Sequence, residues 1–597
     1  MHTDVVIIGG GHAGCEAALA SARVGADTVM VVMNPDKIGH VSCNPAIGGV
    51  AKGQLVREID ALGGMMGLAA DENAVQFRIL NSSKGPAVRS PRAQIDRWRY
   101  QAWVKRYLEK VPNLHIRQDQ AVRIVTENSK VVGVETFFGE FISCRAVVVC
   151  CGTFAKARLH LGMTAWDGGR NGEPSAPYLS DSLRGLGLEL FRLRTDTCPR
   201  IDSRTIDFSK LRKESGDKKP QPFSFLTEKV TDDQLPCHVG WTNENTFKVV
   251  EAILDQAPAI TGAIEGLPPR YCPNIETKVA RFPEKRVHHL FIEPEGRDSF
   301  ETYLNGFSTS IPPKAQEEMI NSVVGLEDAR VVRYGYAVEY DAVRPTQLRS
   351  TLETKPVGGL FTAGQVNGTS GYEEAAAQGL LAGVNAALSA LGRPGFTLGR
   401  HEAYIGVLVD DLTTRGTEEP YRLFTSRSEF RLLNRQDNAD LRLTPKAAEI
   451  GLVGEDRLSR VEALNEEISA GREVLENTFD QSGTNLAHFL KRPENDWIKA
   501  AELQPKLLGL SERAAEQLAI EAKYEGYIAR SLSQIRALEK SRGLRLPPDF
   551  DYSGVGGLSR EATEKLNRFR PENLDQAMRI SGVSPADAAL LMVRLRK

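Results

Sequence analysis

Asp4-Val-Val-Ile-Ile8, Gly9-Gly-Gly-His-Ala-Gly14 and Cys15-Glu-Ala-Ala-Leu-Ala-Ser-Ala-Arg23 stand end to end near the start of the chain. The first is short, apolar and β-branched, the pattern of a strand buried on both faces of a parallel sheet. The third is a run of small residues that predicts a helix packed closely on that sheet. Between them Gly9, Gly11 and Gly14 fit G-x-G-x-x-G. Gly9 permits the tight turn, Gly11 lets a pyrophosphate approach the backbone, and Gly14 lets helix and strand touch, while the helix N-terminus offers free N–H groups to an anion. Thr28–Val32 reads as the second strand. Its end, where an acid usually meets a ribose hydroxyl, is Met33-Asn34-Pro35, with Asp36 just beyond. Asn34 is left to serve that hydroxyl.

Working outward, Ala121–Val125, Val131–Thr136, Glu140–Ser143 and Ala146–Val149 read as short strands, the last ending in Cys150-Cys-Gly-Thr153. A meander that returns to the sheet through an apolar strand and a glycine turn is a feature of large flavoproteins rather than plain dehydrogenases. A second strand, turn and Ala-rich helix runs through Gly359-Leu-Phe-Thr-Ala-Gly364-Gln365 and Gly371–Ala382. Its helix start can face a phosphate or a flavin carbonyl. Gln365 stands where related flavoproteins carry Asp, so it brings a hydrogen bond without a charge. Bound FAD is the cofactor these features imply.

The chain has 597 residues, 41% hydrophobic and 25% charged, and a formal charge of −2. That length exceeds a single core, and the charge excludes a polybasic nucleic-acid binder, leaving local patches. The eight cysteines include no C-x-x-C and none follows residue 272. This excludes a disulfide scaffold and a zinc ribbon, and we expect reduced thiols, no metal and a cytoplasmic setting. No stretch approaches the ~20 apolar residues of a membrane span. The expected fold class is α/β, a two-dinucleotide-binding-domain flavoprotein with a Rossmann-like FAD domain, an inserted α/β domain and an all-α C-terminal region. The expected boundaries are 1–200 with 345–400 for the FAD domain, 201–344 for the insert, 401–546 for a helical domain and 547–597 for a terminal bundle, with Pro547-Pro548 as the break.

Cys43, in Ser42-Cys43-Asn44-Pro45, follows the second strand on a loop that can reach a flavin ring. It is either a nucleophile or proton donor or a small packed residue. Cys272 lies among Pro268, Pro269 and Pro273, which imply an irregular, exposed backbone, with Arg270, Lys278 and Arg281 nearby. Those cations favour thiolate and attract phosphates. Arg427, Arg431 and Arg435 fall four residues apart, as on one helix face, with Phe424 and Phe430 among them. Such a face is either a solvated helix surface or an RNA-binding one.

GGGHAG, SCNPAIGG, RILNSSKGPAVR (78–89), PRYCPNIE (269–276), GQVNGTSGYEEAAAQG (364–379) and EPYRLFTSRSEFRL (419–432) together resemble the bacterial tRNA uridine 5-carboxymethylaminomethyl modification enzymes, the MnmG (GidA) family. The likeness runs from residue 4 into GLSREATEKLNRFRP and RISGVSPA near the end. It implies FAD and NADH as cofactors, a homodimer, a heterotetramer with the GTPase MnmE, and modification of the wobble uridine of tRNA at its 5-position. Methylenetetrahydrofolate would give the one-carbon unit, and glycine or ammonium the amino group. It further implies FAD contacts at Gly9, Gly10, Gly11, His12, Ala13, Gly14, Val122 (or its neighbour Ala121), Ser175 and Gln365. An NADH-associated segment would comprise Pro268, Pro269, Arg270, Tyr271, Cys272, Pro273, Asn274, Ile275, Glu276, Thr277, Lys278, Val279, Ala280, Arg281 and Phe282. Cys43 and Cys272 match the family cysteines suspected in catalysis, and the resemblance favours the RNA-binding reading of Arg427, Arg431 and Arg435.

Three other readings compete. A folate- and FAD-dependent tRNA uridine-5-methyltransferase shares the flavin core but lacks the helical residues 400–597. A thiol–disulfide oxidoreductase wants a cysteine pair beside the flavin. A non-enzymatic flavin-binding scaffold would not have its flavin bleached by NADH.

Overall fold

The computed structural model describes residues 1–269, 273–542 and 544–595. Its first layer is a five-stranded, all-parallel sheet of β1 (Val5–Ile8), β2 (Thr28–Val32), β3 (Leu114–Gln118), β4 (Ala146–Val149) and β5 (Leu360–Thr362), in the order β5-β4-β1-β2-β3. Alternation along β1 sends Val5 and Ile7 to one core and Val6 and Ile8 to another, so the strand is apolar throughout because both of its faces are covered. The expected meander is present as Ala121–Glu127, Lys130–Thr136 and Phe141–Ser143, an antiparallel sheet on the Val6/Ile8 side.

On the opposite face lie α1 (His12–Val24) and α2 (Tyr372–Ala390). They pack at backbone distance because glycines meet alanines. A Cβ on Gly379 would sit 2.0 Å from the Ala13 carbonyl oxygen, and one on Gly383 would sit 2.2 Å from that of Ala17. Gly14 does the same for helix against turn, since its Cβ would fall 1.9 Å from the Gly9 carbonyl oxygen. The two glycine-rich turns, separated by about 350 residues of sequence, are thereby locked over one edge of the sheet.

Residues 200–333 hold a six-stranded sheet with its own apolar core. A four-stranded antiparallel sheet, pairing Leu190–Asp196 with Ala337–Val343, carries the chain out to it and back. Residues 403–452 do not form a separate helical core. They complete the first one, anchored by the buried Glu58, which accepts from the Tyr404 and Ile405 N–H groups at 2.9 and 3.0 Å and faces Arg442 at 3.2 Å. Helices between Glu455 and Arg542 share a further core that starts at Leu464, and the last three helices share another that includes Leu546. Among the described residues no helix is long and apolar enough to cross a membrane.

The glycine–alanine contact is testable. Gly383→Leu should force α1 and α2 apart, costing about 2–3 kcal/mol. The midpoint of thermal unfolding should fall by roughly 5 °C or more, while Ser389→Ala, on the exposed side of the same helix, should leave it unchanged. An unaltered midpoint in Gly383→Leu would show that the close approach is not what holds these helices.

Candidate functional site

A cavity of about 1540 Å³, counted out to its open mouth, lies over the sheet edge where the two glycine turns meet. Gly9, Gly10, Gly11, His12 and Ala13 form one wall. Gly9 takes φ +111, and a Cβ there would sit 2.3 Å from the Cys150 carbonyl oxygen. Gly11, by contrast, would project a Cβ into open space. It is the N-cap of α1 and offers no side-chain cap, so the first N–H groups of the helix are free for an anion. Gly14 is not on the wall and acts through the packing described above.

His12 is buried between the rings of Tyr100 and Tyr372, at centroid distances of 5.8 and 4.7 Å. Burial, with a contribution from Arg170, lowers its pKa to about 4. Its Nε2 has no hydrogen-bond partner. A neutral imidazole in the cavity wall with an unused, buried polar atom calls for a partner. The opposite wall comes from Cys150–Phe154 after β4 and from Ala363 and Gln365 after β5. The end of β2 supplies Asn34, whose side chain caps the next turn by accepting from the Asp36 N–H at 2.9 Å. The Asp36 carboxylate turns away to Lys105 at 2.9 Å.

Of Val122 and its neighbour Ala121, it is Ala121 that lines the cavity, and the strand register is irregular between Ala121 and Arg123. Ser175 stands behind the wall, its hydroxyl accepting from the Ala157 N–H at 2.8 Å and donating to the Phe154 carbonyl, while Ala176 lines the cavity.

At one end of the cavity lies Cys43, half-buried. Its Sγ is 3.0 Å from the Tyr303 hydroxyl, and its backbone N–H donates to the Tyr372 hydroxyl. Arg200 is buried alongside. It donates to the Ser42 carbonyl at 2.6 Å, pairs with Glu295 at 3.0 Å and stacks over the Tyr303 ring at 4.8 Å. Burial pushes both phenols well above the usual tyrosine range, so Tyr303 keeps its proton and can donate it to a thiolate. Tyr303 also meets the buried Cys198. The other described cysteines are buried and form no disulfide. Burial pushes the Cys144, Cys151 and Cys237 thiols up to about 12, and those of Cys15 and Cys150 higher still. Of the three described cysteines that line the cavity, Cys150 and Cys151 are buried and Cys43 is the one half-exposed.

The nicotinamide-associated stretch reads differently in three dimensions. Arg270, Tyr271 and Cys272 lie outside the described residues. Asn274 caps a helix, Ile275–Arg281, by accepting from the Thr277 N–H at 3.0 Å. Ile275 and Val279 are buried in the core of the insert. Glu276, whose pKa burial raises to about 7, accepts from the Ser310 N–H and the Thr309 hydroxyl, both at 2.9 Å. Lys278 donates to the Gly306 carbonyl. Ala280, Arg281 and Phe282 are exposed, and none of the described residues of this stretch lines the cavity.

The arginine face is overturned. Thr425–Arg427 makes one turn of 3-10 helix and the chain then turns irregularly to Asn434, so no helix aligns Arg427, Arg431 and Arg435. Arg435 is buried, bonded to Asp437 at 3.0 Å and Gln517 at 2.6 Å. Arg427 lies over Tyr421 at 4.4 Å and faces the buried Asp411 at 3.5 Å. Of the three, Arg431 alone is exposed. Two of the arginines are tertiary ties that the periodic spacing disguised.

Comparison with known proteins agrees with this geometry. The family model "Glucose inhibited division protein A" matches residues 4–394. The chain belongs to the MnmG/GidA family. Models of the MnmG/GidA C-terminal helical domain and helical bundle match residues 455–532 and 534–597. A curated relative from Nitratiruptor is 49% identical over 616 residues, covering 100% of this chain and 99% of that protein. One from Caldicellulosiruptor saccharolyticus is 47% identical over 612 residues, covering 100% and 98%. Both are named tRNA uridine 5-carboxymethylaminomethyl modification enzyme MnmG. The form I crystal structure of Aquifex aeolicus GidA superposes with a TM-score of 0.94 at 46% identity, covering 100% of both chains. The MnmG/GidA fold therefore extends over the whole chain, and the α/β architecture with a helical C-terminal region is that of the family.

The Tyr303 contact predicts a reactivity change. A hydrogen bond to a charged group contributes about 1.5–3 kcal/mol, so Tyr303→Phe should slow iodoacetamide alkylation of Cys43 about tenfold at fixed pH, read on the Cys43 peptide by mass spectrometry. An unchanged rate would mean that the phenol does not support the thiolate.

Proposed function

We propose that this chain is an FAD- and NADH-dependent tRNA-modifying enzyme that installs the carboxymethylaminomethyl, or aminomethyl, group at the 5-position of the wobble uridine. It would act in the cytoplasm as a homodimer, with the GTPase MnmE as partner and methylenetetrahydrofolate as one-carbon donor. The observation that carries the reading is a cavity built for a dinucleotide, with a half-buried thiol at its end, in a chain of the MnmG/GidA family.

The residues fit FAD. The uncapped start of α1 and the open space at Gly11 suit its pyrophosphate, and the unpartnered His12 Nε2 and Gln365 offer hydrogen bonds. When bound, FAD supplies two-electron transfer between the nicotinamide and the carbon–nitrogen unit being attached. The nicotinamide-associated role would fall to residues 268–273 and the exposed Ala280, Arg281 and Phe282, because Ile275 and Val279 are committed to packing.

Uracil C5 is a weak nucleophile. In the proposed step the Cys43 thiolate adds to C6, forming the S–C6 bond and moving the C5=C6 electron pair into an enolate. C5 then bonds to the carbon of a methylene iminium derived from methylenetetrahydrofolate, whose C=N π pair moves onto the nitrogen. Loss of the C5 proton and expulsion of the thiolate restore the C5=C6 bond. The Tyr303 hydroxyl stabilises the thiolate before attack and after release, and Arg200 holds the loop through the Ser42 carbonyl. Cys272, outside the described residues, is the second candidate for this role.

Nucleosides from bulk tRNA of cells lacking the gene, identified by mass spectrometry, test the function. Loss of 5-carboxymethylaminomethyluridine derivatives is expected. Their persistence with loss of ribothymidine would transfer the assignment to the uridine-5-methyltransferase reading. Complementation with Cys43→Ser, and separately with Cys272→Ser, with FAD content verified, tests the covalent step. Full modification by both variants would exclude it.

A further inference from the structure

A second chamber opens off the cofactor cavity toward the insert. Counted out to its mouth it measures about 1030 Å³, and it shares His40, Ser42, Arg170 and Tyr336 with the first. Ser42 is therefore part of the dividing wall, and the neighbouring Cys43 stands at the junction of the two spaces.

The lining differs in kind from that of the cofactor cavity. Among its described residues no glycine cradle is present. In its place are half-buried aromatic rings, Trp166 and Tyr336, and the guanidinium groups of Arg97, Arg170, Arg200 and Arg333. The carboxylates paired with these are Glu295, Glu301 and Glu173. Arg97 meets Glu295 at 2.8 Å and Glu301 at 3.4 Å, Arg200 meets Glu295 at 3.0 Å, Arg333 meets Glu301 at 2.9 Å, and Arg170 meets Glu173 at 2.9 Å. Four cations face three anions, leaving one positive charge uncompensated. Burial lowers the pKa of His40, so that ring adds no further charge. Arg97 and Arg200 are buried and fixed, while the Arg333 side chain is 47% exposed. An exposed pair contributes little, so an incoming phosphate can take Arg333 from Glu301 at small cost.

Flat rings beside guanidinium groups suit a ligand with one π-face and one phosphate. Bases splayed from single-stranded RNA are held in this way, by stacking on aromatic side chains and by Arg contacts to the backbone. We propose that this chamber seats the target nucleotide of the RNA substrate. Its pyrimidine stacks against the Trp166/Tyr336 side and its phosphate is met by Arg170 and Arg333, so that the base edge arrives at the junction where Cys43 waits. The inference rests on the reading of the chain as a tRNA uridine-modifying enzyme and adds where the nucleotide is held. A dinucleotide such as NADH is the competing occupant, disfavoured because its pyrophosphate finds no glycine-lined backbone here.

The test uses FAD-loaded enzyme and an anticodon stem-loop RNA with an unmodified wobble uridine, with affinity measured at several salt concentrations. Trp166→Ala is expected to weaken binding about tenfold and Trp166→Phe to restore most of it. Arg333→Gln is expected to weaken binding about fivefold and to lower the slope of log affinity against log salt by about one. FAD content and anaerobic bleaching of the flavin by NADH should match wild type in all three, which separates a ligand contact from a folding defect. Wild-type RNA affinity in both Trp166→Ala and Arg333→Gln would overturn the chamber assignment alone. So would unchanged RNA affinity with an altered NADH concentration dependence, which would make the chamber a nicotinamide site. Wild-type holoenzyme that fails to bind the stem-loop would overturn the functional reading and the chamber proposal with it.

Discussion

The near-contact of α1 and α2 through Gly379 and Gly383 against the Ala13 and Ala17 backbone is the constraint on which the rest depends. Helices usually pack 8–10 Å apart, depending on the side chains between them. Here the side chains are absent by design, and the backbones meet. That contact fixes the turn after β1 relative to the turn after β5, and the space between the two turns is the cofactor cavity. Widening it by one methyl group would move both walls, because Gly14 is pinned in the same manner against Gly9.

A second constraint is electrostatic. Arg200 is buried, and a buried cation is tolerated only when paired and hydrogen-bonded. Its partners, Glu295, the Ser42 carbonyl and the Tyr303 ring, join the insert to the loop carrying Cys43. The price of burying that charge is met by a network that also sets the thiol in place. Tyr372, at the start of α2, holds the Cys43 N–H, so the helix contact and the charge cluster converge on one residue.

Local chemistry was legible in the sequence, and long-range chemistry was not. The strand–glycine–helix signal is contained within about 20 residues and requires no knowledge of the fold, so Gly9 to Ala13 fall on the cavity wall as read. The same holds for the meander and for the second glycine turn. Tyr303 and Tyr372 lie 260 and 329 positions from Cys43, and no local pattern marks either. Tyr372 sits inside the quoted GYEEAAAQG run, where its neighbours drew attention to helix formation and not to its hydroxyl. The stripe of Arg427, Arg431 and Arg435 misled because i,i+4 spacing matters only if a helix forms, and the pull of buried Asp411 and Gln517 overrode it. The family resemblance puts residues 275–281 in the nicotinamide-associated stretch, and in the fold Asn274 is an N-cap and the run after it has buried apolar residues at helical spacing.

The central claim is that the thiol at the end of this cavity acts on a uridine. The most direct measurement is mass spectrometry of the complete reaction mixture with a stem-loop carrying 5-fluorouridine at the wobble position. Fluorine at C5 blocks the proton loss that releases the thiolate. The account predicts a covalent adduct on the Cys43 peptide, absent in Cys43→Ser. An active enzyme that yields no adduct, or one on a residue other than Cys43, would contradict it.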